Sequence, residues 1–243
     1  MDLTAEQSNS RTVKIVIIAN KNIPQAALKQ IGNYGNVLSF ETNGITYPAI
    51  SSHPDVFFCK VDDTLIIAPN IPSKFRNQLI KIDISFIEGT KKVGYSYPET
   101  ATYNAVVTEK FLIHNLKITD SSIKELCGDK TAIHVNQAYT RCNLLPLKND
   151  GFITSDLVIH NTLSDVGLNV LYVNPKDIIL PGFDNGFFGG ACGVNNNKIF
   201  VIGSLRKFND ANNVVAYLKE AKYEIIELYD GSLFDGGSLI FLD

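Results

Sequence analysis

Three short stretches hold the residue types that do chemistry. His53-Pro54-Asp55 sets an imidazole two residues from a carboxylate, Arg141-Cys142 sets a guanidinium beside a thiol, and "GFFGGACG" (186–193) strings four glycines together. An imidazole titrates near neutral pH and can shuttle protons. A thiolate can attack an electrophilic carbon, and a neighbouring cation such as Arg141 is expected to favour that thiolate in Cys142. Asp55 can grip a cation or pair with Arg141; a free Arg141 suits a carboxylate, which its planar fork binds through two bonds. Plainer readings stand beside these: His53 as a turn histidine bonded to backbone, and Cys142 as a small buried hydrophobe. The glycines do not read as a phosphate loop. Such loops lie between a strand and a helix N-terminus, whereas a strand, a polar turn and another strand follow here. Close approach of backbone is their expected use.

The elements that must position these residues form a repeat. A short β-branched or aromatic run recurs as "KIVIIAN", "TLIIAPN", "KFLIHN", "GFITSD" and "KIFVIGS", at the roughly 40–50-residue spacing of repeat architectures. A helix-like stretch follows each, with Pro24 and Pro72 suited to a first turn and Thr119, Ser155 and Asn209 to N-caps. A second strand comes next ("NVLSFE", "DISFIE", "TAIHV", "NVLYVN", "EIIELY"). A loop then leads to a third ("DVFFCKV", "YNAVV", "CNLLPL", "GGACGV", "GGSLIFL"). The pattern is five β-α-β-β units in an α/β chain. The last unit ends at its third strand and the first strand stands spare, so residues 13–20 are expected to pair with 236–242 and close a ring. The expected organisation is a flexible segment over 1–12 and one five-unit domain over 13–243.

Composition narrows the setting. A chain of 243 residues with 45% hydrophobic residues can bury a sizeable core, and a net charge of -3 gives no global basic footprint for nucleic acid. Cys59, Cys127, Cys142 and Cys192 form no CxxC pair, so neither a metal nor a disulfide framework is expected, and no cofactor signature is present. The polar start and the lack of a long apolar run point to a cytoplasmic protein with no membrane association.

The repeat, together with "HPDVFFCKVDDTLIIAPN" (53–70), "VNQAYTRCNLLPL" (135–147), "GFFGGACG" and "DGGSLIFL" (235–242), resembles the pentein fold of guanidino-group-modifying enzymes over nearly the whole chain. The last three stretches look especially like an uncharacterised bacterial group within it. The resemblance implies a closed α/β propeller of five units. In active members it also implies chemistry on a guanidine, with carboxylates that hold it, a histidine that moves protons and a terminal cysteine that attacks. Asp55 matches the first acidic position and Glu99, in "YPETATY", the second. The histidine position falls within "QAYTRC", and the Gly-Gly-x-x-Cys pattern becomes Gly236-Gly237-Ser238-Leu239-Ile240, without the cysteine.

In such a ring the loops and early residues of the third strands face a central pocket. The expected ligand-binding set is Asp55, Glu99, Asn104, Gln137, Tyr139, Arg141, Phe188, Gly189, Asp235 and Ser238, with Cys142, His53 and Asp55 as catalytic candidates. Two functions stay open. One is a pocket for a small guanidino or amino-acid-like ligand, with an atypical guanidino-modifying reaction if Cys142 is the nucleophile. The other is a non-catalytic interaction protein, like the ribosome-binding factor of this fold.

Overall fold

The computed structural model describes residues 15–242, so the expectations for 1–12 and for the start of the first strand lie outside the described residues. In chain order the elements are β1 (Val16–Asn20), α1 (Gln25–Ile31), β2 (Asn36–Phe40), α2 (Pro54–Phe57), β3 (Phe58–Val61), β4 (Thr64–Ile67), α3 (Ser73–Lys81) and β5 (Phe86–Glu88). The middle of the chain gives β6 (Val106–Val107), β7 (Phe111–His114), α4 (Ser121–Leu126), β8 (Thr131–His134), α5 (Thr140–Asn143), β9 (Leu144–Pro146), β10 (Gly151–Thr154), α6 (Leu157–Asp165) and β11 (Asn169–Tyr172). Last come β12 (Cys192–Asn195), β13 (Lys198–Val201), α7 (Ala211–Glu220), β14 (Glu224–Glu227) and β15 (Ile240–Leu242).

These strands make five three-stranded sheets: β15-β1-β2, β3-β4-β5, β6-β7-β8, β9-β10-β11 and β12-β13-β14. In each, the first strand of a unit is central. It runs parallel to the second strand, reached through a helix, and antiparallel to a hairpin partner donated by the preceding unit. Each sheet therefore straddles two units. The first is completed by the far end of the chain, with Val16 opposite Leu242, Ile17 opposite Phe241 and Ile18 opposite Ile240. Among the described residues the pairing joins Val16–Ile18 to Ile240–Leu242, within the 13–20 and 236–242 span read from the sequence.

Helices cover the sheets through pairs of apolar residues four apart, which share one helix face. Ala27 and Ile31 are buried on α1, Phe75 and Leu79 on α3, Ile159 and Leu163 on α6, and Val214 and Leu218 on α7. Phe75 belongs to an aromatic group with Phe40 and Phe58, whose rings lie 4.8 to 5.5 Å apart. The caps differ from expectation by one residue. Asp120 accepts from Ser122 N and Asp156 from Val158 N and Ile159 N, while Asp210 stands at the start of α7. Thr119 and Ser155 are occupied otherwise: Thr119 bonds His114, and Ser155 bonds Asn143 and Phe188.

A larger correction concerns the third strands. The residues read as their first halves in units one and three form single helical turns, α2 and α5. Asp55 N and Arg141 N reach into neighbouring units, to Gly237 O and Asn104 O, while Val56 N and Asn143 N close the turns on His53 O and Tyr139 O.

Candidate functional site around the axis

Five hydrogen bonds link the units in a circuit. Asp55 N donates to Gly237 O at 3.1 Å, Asn104 Nδ2 to Asp55 O at 3.0 Å, Arg141 N to Asn104 O at 3.0 Å, Gly190 N to Cys142 O at 2.7 Å and Ser238 N to Gly190 O at 2.8 Å. The circuit explains the glycines. A Cβ at Gly189 would fall on the Arg141 and Cys142 carbonyls, and Gly237 has φ +74 with His53 where a Cβ would stand. The Gly190 amide is spent on Cys142 O, so the stretch serves close approach, as the sequence suggested.

Inside this circuit sits a buried polar cluster. Asp55 Oδ2 accepts from Cys142 Sγ at 3.0 Å and from Ser238 Oγ at 2.7 Å, and Asn104 Nδ2 lies 3.3 Å from Cys142 Sγ. Asp235 accepts from Phe187 N at 2.9 Å and Gly237 N at 3.0 Å, and its Oδ1 lies 3.9 Å from His53 Nδ1. Burial pushes the Asp235 carboxyl up to about 6, helped by the charge of Asp55 and opposed by His53 and the two backbone donors. Burial also raises the Cys142 thiol well above its ordinary value, reinforced by Asp55 and Asp235. That reverses the expectation for Cys142. Successive residues on a helical turn point about 100° apart, so the cation next in sequence turns away while two carboxylates face the sulfur.

Two cavities approach the cluster. One, of about 110 Å³, is lined by His53, Cys142 and Asp235 below and by Tyr47, Ile50, Tyr139, Leu180, Phe183, Asn185 and Phe187 from the long loops. The Tyr139 hydroxyl is held by Thr100 Oγ1 at 2.5 Å and Tyr47 at 3.3 Å, and burial raises it out of the titrating range. The other cavity, of about 690 Å³, opens among the hairpin turns and includes Asp55, Lys60, Arg141, Lys148 and Ile240. Arg141 donates there to Gly189 O at 2.9 Å and Cys192 O at 3.4 Å and makes no ion pair with Asp55 among the described residues.

Of the residues expected at the pocket, His53, Asp55, Asn104, Cys142, Asp235 and Ser238 meet at the axis, Gly189 supports them, and Tyr139 walls the smaller cavity. Arg141 belongs to the opposite cavity. Three others lie elsewhere. Glu99 is exposed, because the helical turn Glu99–Ala101 directs Thr100 inward. Gln137 bonds Asp156 and the Tyr139 amide, bracing α5 from outside the cavity. Phe188 is core, 5.8 Å from Phe208. Sequence reading missed Tyr47, Phe183 and Phe187, loop aromatics whose convergence no local pattern signals.

The chain belongs to the family of unknown function DUF6873, which it matches over residues 18–240. No curated protein matches it. Among solved structures it is similar to C. jejuni agmatine deiminase with substrate bound, at 14% identity and TM-score 0.56, covering 93% of this chain and 81% of that one. An amidinotransferase from the saxitoxin biosynthetic pathway of Microseira wollei aligns at 11% identity and TM-score 0.54, over 87% of each chain. The Pseudomonas aeruginosa dimethylarginine dimethylaminohydrolase complexed with citrulline aligns at 10% and 0.51, over 87% and 91%. The fold is therefore the pentein fold of guanidino-modifying enzymes.

Proposed function

We propose that the smaller cavity binds a small guanidino or amine cation. One observation carries this reading: the buried carboxylate of Asp235 lines this cavity beside His53 under an aromatic wall, Asp55 belongs to the same polar cluster below it, and among the described residues no lysine or arginine forms an ion pair with either. Buried charge is costly unless paired, and an incoming cation would pair it. Tyr47, Tyr139 and Phe183 line the cavity with aromatic rings, a surface that suits a planar cation. A volume of about 110 Å³ suits a head group with a short tail. The amino-acid-like ligand expected from sequence would need Arg141 in the same cavity, and that side chain faces the other one.

Binding is better supported than turnover. The thiol is held protonated chiefly by burial, with the charges of Asp55 and Asp235 adding to it, and Ile240 stands where the family pattern has its cysteine. A bound cation would offset both carboxylates and lower the thiol pKa. Cys142 Sγ could then pass its proton to Asp55 Oδ2, 3.0 Å away, and form a bond to a guanidino carbon, the C–N bond breaking as His53 gives the departing amine a proton. Membrane association gains no support: no helix is long and apolar enough to cross a membrane among the described residues.

Thermal shift with agmatine, guanidinium, arginine and citrulline, run in a metal chelator, tests the binding. A ligand at a hundred times its dissociation constant adds about 2.7 kcal/mol. Agmatine and guanidinium should raise the melting temperature, Asp235→Asn should remove the rise, and Arg141→Ala should leave it intact. A shift from arginine alone that Arg141→Ala abolishes would move the site to the larger cavity.

A further inference from the structure

Among the described residues, two buried side-chain atoms lack any hydrogen-bond partner: His53 Nδ1 and Asp55 Oδ1. Such atoms are rare in a folded protein, and each needs a reason. Both belong to one group with Cys142. The donor atoms of His53, Asp55 and Cys142 all lie within 4.8 Å of one another, and all three residues are buried. We propose that His53, Asp55 and Cys142 form a binding site for one transition-metal ion of the zinc class. The inference goes beyond the organic-cation reading and stands without it.

The donor set selects the ion. One thiolate, one imidazole and one carboxylate suit a borderline-soft divalent metal such as zinc or cobalt, and not calcium or magnesium, which prefer oxygen alone. The surroundings fit as well. Ser238 Oγ holds Asp55 Oδ2 at 2.7 Å, which fixes the carboxylate and leaves Oδ1 free. Asn104 Nδ2, 3.3 Å from Cys142 Sγ, steadies charge on the sulfur. Asp235 Oδ1, 3.9 Å from His53 Nδ1, can approach as a fourth donor. The smaller cavity touches His53, Cys142 and Asp235, which gives the ion an entry route and an outer ligand its place. Metal–donor bonds of about 2.0–2.3 Å put tetrahedral donors roughly 3.3–3.8 Å apart, so the widest gap must close by about 1 Å on binding.

Loading exchanges a proton for the ion. The Cys142 S–H bond breaks, a sulfur–metal bond forms from its electron pair, and the proton leaves to buffer. No electron changes hands. Affinity must therefore rise with pH.

The test is a Co2+ titration of the reduced, chelator-stripped full chain with no organic ligand present. The expected result is saturation at one ion per chain, with a thiolate-to-cobalt charge-transfer band that Zn2+ displaces and that strengthens as pH rises. Cys142→Ala should abolish the band, while Cys127→Ala and Cys192→Ala retain it. His53→Ala and Asp55→Asn should each weaken binding at least tenfold. X-ray absorption of the zinc-loaded wild type needs no variant, and should find one sulfur at about 2.3 Å. No saturable binding, no sulfur neighbour, or a band that survives Cys142→Ala would overturn the site. The agmatine shift in chelator has its own outcome, so either reading can fail alone.

Discussion

The protein buries two histidine–aspartate neighbourhoods, and they differ in one respect. At the outer one, His114 Nδ1 bonds Thr119 Oγ1 at 2.8 Å and Nε2 bonds Ala138 O at 2.9 Å. Nearby, Asp120 accepts from Thr90 N, Lys91 N and Ser122 N at 2.8 to 3.1 Å and from Thr90 Oγ1 at 2.9 Å. Burial alone would raise the Asp120 carboxyl, but these donors hold it below the usual carboxylate range. At the axis, His53 Nδ1 and Asp55 Oδ1 have no partner, and burial raises Asp235 to about 6. A buried polar group with every bond made holds structure together; one with bonds left open is a place for something to bind. That difference is what the proposed site at the axis rests on.

That contrast can be broken by substitution. Asp120→Ala strands three backbone donors and should cost on the order of 3–5 kcal/mol in chemical denaturation. His114→Ala should likewise cost more than His53→Ala, whose ring already has an open nitrogen. Equal losses at the two histidines would mean that the axis is as structural as the outer network.

The pH dependence sharpens it, because the two regions carry opposite signs. Burial lowers His114 to about 4 from 6.5, so its contribution is full above pH 6.5 and is lost as pH falls toward 4. Asp235 is raised from 3.8 to about 6, so its contribution is fullest below pH 3.8 and is lost as pH rises through 6. Each shift corresponds to about 3 kcal/mol. The stability of Asp235→Asn relative to wild type should therefore climb by about that amount from pH 4 to 6.5. A flat difference would show that Asp235 titrates normally and that the axis is wetter than described.

Smaller effects follow at the sulfur. Ser238→Ala removes one bond to Asp55 and should cost about 1–2 kcal/mol. Cys142, with its raised thiol, should react with iodoacetamide more slowly than a free cysteine at pH 8, and agmatine should change that rate. Fast labelling in the unliganded protein would restore the Arg141-activated thiolate that the sequence suggested.

Much of the architecture was legible in the chain. The five-fold recurrence, the strand and helix types and the spare first strand depend on local pattern and on turn residues, which a sequence displays directly. Pairing of the first strand with the last followed from counting strands. The caps were misplaced by one residue because Thr119 and Ser155 are as good locally as Asp120 and Asp156, and only tertiary partners decide between them.

The site was half legible. The repeat register alone brought Asp55, Asn104, Cys142, Asp235 and Ser238 to one axis. It could not say which way each side chain points. Arg141 and Cys142 are neighbours in sequence, yet one helical turn sends the guanidinium to the Gly189 and Cys192 carbonyls and the thiol to Asp55. The sequence by itself determined which chain segments reach the centre, because a repeat fixes equivalent positions, but not which of their residues do, as Glu99, Gln137 and Phe188 show. Tertiary structure decided their chemistry, because charge and burial around a side chain come from the four other units and not from its neighbour in the chain.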